Sequence, residues 1–200
     1  MGMALVILVA IVCGLGLFTL FAVGQYNTLV ALRNRYKNTF SQIDGQLKIR
    51  YDLIANMVEG GKDYLEDDRE TLDTVTSARN SAYSTAAKAA ANPGHPQAIR
   101  GLIAAEARLK DALERFFAVA ETNPGLNADP NLSRIGKEVT SLENKISFAR
   151  EAYNDAVMIY NVRREVFPAN VVASMFGFAA AELFQMEALP ERAGSKVSLT

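Results

Sequence analysis

Residues 3–23 read MALVILVAIVCGLGLFTLFAV, an apolar run without a charge and with one hydroxyl, Thr19. At roughly 21 residues and about 31 Å if helical, it matches the hydrocarbon thickness of a bilayer. The pattern then changes. From Tyr26 onward, Leu29, Leu32, Tyr36, Phe40, Ile43, Leu47, Tyr51, Ile54 and Val58 recur at steps of three and four with no proline between them, which predicts one long amphipathic helix continuous with the apolar run and reaching about Tyr64. Gly45 weakens it locally, and Gly60 and Gly61 mark its end. A second helix is predicted to begin near Glu66 to Arg69, with a thin apolar line of Leu72, Val75, Ala78, Ala82, Ala86 and Ala90 that stops at residues 92–96, NPGHP. A third carries Ile99, Leu102, Leu109, Leu113, Phe116 and Ala120 and ends at Asn123, Pro124 and Gly125. The fourth starts near Pro130 and carries Leu132, Ile135, Val139, Leu142, Ile146, Ala149, Tyr153, Val157 and Tyr160.

Two long helices bracketing two shorter ones, joined by short Pro and Gly turns, predict an all-α fold: an N-terminal transmembrane helix continuing into a long antiparallel four-helix bundle, with a short apolar C-terminal helix. The expected divisions are an anchor at 1–24, a bundle at 25–168, an apolar helix at 169–189 and a disordered tail at 190–200. If the first helix points away from the membrane, the fourth returns toward it. The segment after Pro168 then arrives near lipid, where Val171, Val172, Met175, Phe176, Phe178, Leu183, Phe184 and Met186 are candidates for the interface. The alternative is that this segment folds back and caps the bundle end.

The apolar run is read as a retained anchor. A secretory signal has a positive n-region and a shorter core, whereas no Lys or Arg precedes this run. The residues before Cys13, namely Ala10, Ile11 and Val12, are a poor match to a lipoprotein processing site. Arg33, Arg35 and Lys37 follow the run, with Lys48 and Arg50 further on. This bias predicts the N-terminus outside and the bulk of the chain in the cytoplasm.

Charge adds little. Lys plus Arg total 21 against 22 Asp plus Glu, so nothing electrostatic favours a nucleic-acid partner. Catalytic, cofactor and metal sites are all expected to be absent: the one histidine, His95, sits in a turn, the one cysteine lies in the anchor, and no phosphate loop or HExxH motif occurs. The acidic run Glu66, Asp67 and Asp68 reads as a solvated helix start. One polar pattern stands out. Tyr-Asn occurs at Tyr26 and Asn27, at Tyr153 and Asn154, and at Tyr160 and Asn161, the last two pairs seven positions apart and so on nearly one helix face. Buried Asn needs partners, so these residues are expected to form a polar clasp between the first and fourth helices. Arg50, Asp52, Arg150 and Asp155 are candidates for interhelical ion pairs that set register.

The stretch YNTLVALRNRYKNTFSQIDGQLKIRYDLIANMVE from Tyr26, then VTSARNSA from Val75, then LENKISFAREAYNDAVMIYNVRREVFPANVVASMFGF from Leu142, resembles the LemA family of bacterial proteins over nearly the whole chain. The combination of YN near the membrane, SQIDxQLKxRYDLI and YNDAVxxYN carries the resemblance. It implies an N-terminal anchor in the bacterial inner membrane with a short outer terminus, a helical bundle, and no established catalytic residues. Some members of the family are linked to envelope stress or to building intracellular membrane compartments. Ala55 stands where the family often has Pro, which makes the first helix more continuous, and residues 127–133 lack the usual Asn-Phe run. The leading functional expectation is a noncatalytic membrane-anchored scaffold or adaptor of the cell envelope. Its expected partners are membrane lipid and either further copies of itself or other envelope membrane proteins. The alternative is a sensory or ligand-binding module with a pocket lined by Tyr153, Asn154, Tyr160 and Asn161. A third reading, a hydrolase working with carboxylates alone, has only the abundance of Asp and Glu in its favour.

Overall fold

The computed structural model describes residues 2–65 and 68–185. Glu66, Asp67, Met186 and the expected disordered tail at 190–200 lie outside the described residues. Six helices and no strands are found among the described residues: α1 (Gly2–Gly61), α2 (Arg69–Ala91), α3 (Pro96–Thr122), α4 (Pro124–Ala128), α5 (Pro130–Glu165) and α6 (Ala169–Met175).

The first helix runs for 60 residues without interruption. Its N-terminal part is long and apolar enough to cross a membrane, and none of that apolar window is buried within the protein. Burial begins at Leu29 and continues through Tyr36, Phe40, Ile43, Leu47, Tyr51, Ile54 and Val58, the stripe that the three-and-four spacing predicts. The helix ends at Gly61, where a Cβ would already touch Leu72 and Phe116 at 3.5 Å.

Contacts between α1 and α5 run in opposite directions along the two helices. Gln25 accepts from Arg163 at 2.6 Å, Tyr36 lies against Tyr160 with ring centroids 5.1 Å apart, Phe40 lies against Tyr153 at 5.5 Å, and Arg50 faces Glu143 at 3.8 Å. The second helix packs on α1, with Leu72 beside Gly61 and the Arg79 Nε donating to the Tyr51 carbonyl at 3.0 Å, and α3 packs on α2. Small residues let these backbones approach closely but bury little area each.

Between α3 and α5 the chain forms a turn of helix, α4, that the periodicity does not reveal because five residues are too few to show a period. Its signal lies in the caps. The Asn123 side chain accepts from Gly125 N and Leu126 N at 3.1 and 3.2 Å, Asp129 accepts from Asn131 N and Leu132 N at 2.8 and 3.1 Å, and each cap is followed by a proline at the first helical position. Those backbone donors, with Tyr64, hold the Asp129 carboxyl below its ordinary value.

One buried ion pair ties α1 to α3. The Arg50 guanidinium meets the Glu106 carboxylate, which also accepts from the Tyr51 hydroxyl, and both charged side chains are only 6% exposed. Arg50 thus pairs between helices, as its candidacy for an interhelical ion pair anticipates. Its partners are Glu106 and Glu143. Asp52 pairs with Arg79 at 3.4 Å, the Arg150 guanidinium lies over the Phe184 ring at 5.5 Å, and Asp155 is exposed. Glu106 falls between Leu102 and Leu109, four and three positions away, so its place on the apolar face was readable from the spacing. Replacing Glu106 by Ala removes the close partner of a buried guanidinium, leaving it Glu143 at 3.8 Å, and is expected to cost about 3 kcal/mol of unfolding free energy. Denaturant titration against an Asp52→Ala variant, whose pair is solvent-exposed and worth under about 1 kcal/mol, checks this; equal losses would contradict it.

Candidate functional site

A chain that leaves a helix and stays buried has backbone donors and acceptors with no internal partners, and they must be satisfied from outside. This problem arises after α6. Gly177 takes φ +67, a left-handed turn suited to glycine, and the Phe178 N–H closes back on the Ala173 carbonyl at 2.9 Å. Residues 178–185 are then non-helical. Phe178, Ala181 and Phe184 are buried while Ala179 and Ala180 are exposed, so burial recurs with a period of three, as in a polyproline II ribbon, rather than the period of two of a strand.

The partners come from the two Tyr-Asn pairs of α5. The Tyr160 hydroxyl donates to the Ala179 carbonyl at 2.8 Å. Asn161 reads both backbone groups of Ala181, its amide donating to the carbonyl at 2.9 Å and its oxygen accepting from the N–H at 3.0 Å. One heptad earlier, the Tyr153 hydroxyl donates to the Glu182 carbonyl at 2.7 Å. Asn154 reads both groups of Phe184, at 3.2 Å to the carbonyl and 2.7 Å from the N–H. Asn suits this task because its side chain carries one acceptor and two donors in the geometry of a peptide group. The far side is closed by the turn before α3. The Glu182 N–H donates to the Gly94 carbonyl at 2.9 Å, and Arg100 grips the Glu182 carboxylate at 2.9 and 3.2 Å. Gly94 sits at φ +85, and a Cβ there would lie 2.9 Å from the Tyr36 ring and 3.0 Å from the Ala181 Cβ. Gly94 and Arg100 were missed in the sequence, where residues 92–96 read only as a helix breaker.

The expected clasp between α1 and α5 is therefore corrected. Tyr153, Asn154, Tyr160 and Asn161 do converge, but on the backbone of residues 179–184. Asn27 is exposed and takes no part, because α1 presents Gln25 and Tyr26 to the rest of the fold at that level. The same geometry corrects the pocket expected at these four residues, since the chain's own segment fills it. The interface candidates divide. Val172, Phe178 and Phe184 are buried in the core, with Phe184 only 2% exposed, and Leu183 is half-buried. Val172, Phe178 and Phe184 face the core rather than outward. Val171, Met175 and Phe176 are exposed.

Three tyrosines are buried around this segment, and burial is the main cause pushing each hydroxyl up. Tyr36 reaches about 12, with Tyr160 adding and Arg33 opposing. Tyr153 is raised well above the usual range, with Tyr36 and the Glu182 charge adding. Tyr160 is raised against the pull of Arg33 and Arg164. All three remain protonated donors at physiological pH. No group of three or more His, Cys, Asp or Glu residues placed to hold a metal occurs among the described residues. An open cavity of about 460 Å³ lies elsewhere, bounded by Met57, Phe116, Phe117, Leu126, Leu132 and Gly136.

The profile of the LemA family matches residues 39–199. Magnetosome protein MamQ 2 and magnetosome protein MamQ 1 of Paramagnetospirillum magneticum (strain ATCC 700264 / AMB-1) are each 31% identical to the chain over 86 residues. That alignment covers 43% of this chain and 32% of each relative, so the chain matches about a third of the length of these curated relatives.

Asn161→Leu leaves the N–H and carbonyl of Ala181 without partners and is expected to lower the unfolding free energy by about 1–3 kcal/mol, with new proteolytic cleavage within residues 178–185. Asn80→Leu, on an exposed face, is expected to stay within about 0.5 kcal/mol; equal shifts would remove the role assigned to Asn161. The raised tyrosine values set a pH dependence. An unfolded tyrosine titrates near 10, so the folded state binds more protons above that value, and stability is complete below about pH 10 and declines as pH rises toward the folded value, about 12 for Tyr36. Thermal melts of Tyr153→Phe/Tyr160→Phe are expected to start lower than the parent's and to fall less steeply between pH 10 and 12.

Proposed function

The chain belongs to the LemA family, and from that premise we propose that it is a noncatalytic, membrane-anchored helical scaffold or adaptor of the bacterial cell envelope that associates with further copies of itself. The observation that carries this reading is the continuity of α1. One helix passes from an apolar segment with no protein neighbours directly into the buried centre of the fold, so any movement or clustering of the anchor is transmitted to the folded part without an intervening linker. In this reading the inner membrane holds the anchor with its N-terminus outside. The basic flank of Arg33, Arg35 and Lys37 keeps the folded part in the cytoplasm, and α1, α2, α3 and α5 form an antiparallel four-helix bundle. The opposed order of the α1 and α5 contacts supports that arrangement.

A noncatalytic role is supported by how the converging polar side chains are used: they are committed to the chain's own backbone. A second lipid contact is supported by the exposed apolar residues Val166, Phe167, Val171, Met175 and Phe176. Phe176 packs edge-on against Tyr26 at 4.9 Å, and Tyr26 lies three residues, or about 4.5 Å of helix, beyond Val23. These side chains thus form a collar at the height where the anchor leaves the hydrocarbon, suited to the interface.

The ligand-binding alternative now rests on the cavity between Met57, Phe116 and Leu132, whose volume of about 460 Å³ falls in the range of small-molecule sites. The mass of the full-length chain in nanodiscs or detergent, by light scattering corrected for lipid or detergent, separates the two. A uniform assembly of several chains is expected. A monomer at every protein concentration would overturn self-association and leave the cavity as the feature to pursue.

A further inference from the structure

The heptad on α5 and the tripeptide on the bound segment are matched rulers. Seven residues of helix advance about 10.5 Å, and three residues of an extended chain advance about 9–10 Å. The two repeats of α5 accordingly meet the segment in the same way twice: Tyr160 and Tyr153 take the carbonyls of Ala179 and Glu182, three residues apart, and Asn161 and Asn154 take both backbone groups of Ala181 and Phe184, also three apart. The site recognises backbone through the repeat. It selects sequence through the buried Phe178, Ala181 and Phe184 and through the Arg100 grip on Glu182.

We propose that this Tyr-Asn repeat is a binding site for extended polypeptide, and that besides the chain's own segment it accepts residues 178–184 of a second copy, so that neighbouring anchored chains exchange these segments. The inference rests on the self-association proposed above and names the surface that produces it. Every recognition element lies within the segment itself, so the contacts made in cis and in trans are the same. The balance between them is set by the junction and by local concentration. The junction is a single glycine turn: Gly177 has nothing within 4 Å of where a Cβ would stand, Met175 before it is exposed, and the ties to be released are the Phe176 ring on Tyr26 and the Phe178 N–H on the Ala173 carbonyl. A common anchor places every copy's groove and segment at the same height above the membrane, which raises the effective concentration of one for the other.

The test uses two full-length chains, both carrying Cys13→Ala, one with Arg100→Cys and the other with Glu182→Cys. They are co-expressed in one membrane and treated with a short bis-maleimide. Exchange is expected to give a covalent heterodimer, lost when the Arg100→Cys chain also carries Asn154→Ala/Asn161→Ala and lost on adding an excess of the peptide GFAAAELFQ but not its scrambled form. If Asn154→Ala/Asn161→Ala lowers the helical circular dichroism, the peptide competition decides alone. The proposal is overturned if the mixture gives no heterodimer while the Arg100→Cys/Glu182→Cys chain links within itself, or if the heterodimer persists in the presence of the peptide. A large assembly by light scattering without exchange would sink this inference and leave the scaffold reading intact.

Discussion

One continuous helix here carries two opposed surface patterns. Over its first turns α1 is apolar on every side and exposed on every side, a pattern stable in hydrocarbon and costly in water. From Leu29 the same helix carries a single buried stripe, and α2, α5 and α6 all pack on that half. Because no proline or capped break separates the two regimes, the orientation of the folded part is locked to the anchor. The charged pair at Arg50 and Glu106 is tolerable because three groups, including the Tyr51 hydroxyl, share its desolvation.

The second constraint is the cost of a buried backbone. Residues 178–184 place three side chains in the core without forming a helix or pairing as a strand, and each buried peptide group would cost about 1–3 kcal/mol if left unmet. Tyr153, Asn154, Tyr160 and Asn161 remove most of that cost, with Gly94 and Arg100 acting from the other side. Polar residues that would be a liability in a helix core therefore become the reason an extended segment can lie there. The exposure of Phe167, Met175 and Phe176 is a by-product of the same path, since the chain turns there before it re-enters the groove.

Much of this was legible in the chain itself. The stripe from Leu29 to Val58 and the apolar lines of α3 and α5 are local periodicities that burial follows almost residue for residue, and the uncharged run at 3–23 is a local composition that stays exposed. The YN repeat was equally visible, and the requirement that buried Asn find partners followed from the cost of desolvation. Which partners they find was not legible. A heptad-spaced pair of Asn side chains is as well suited to a facing helix as to an extended backbone, and choosing between them requires knowing that the chain turns at Gly177 and runs back along α5. For the same reason Phe178 and Phe184 stood open between a lipid interface and a fold-back onto the bundle, and Glu106, on the apolar face by its spacing, had no visible partner until Arg50 was placed opposite it. Sequence determined the anchor, the helices and the need for polar partners, because those depend on neighbours within a few positions. The identity of the partners was decided by the tertiary structure, because it joins residues 19 to 56 positions apart, as from Tyr160 to Ala179 and from Arg50 to Glu106, which no local period encodes.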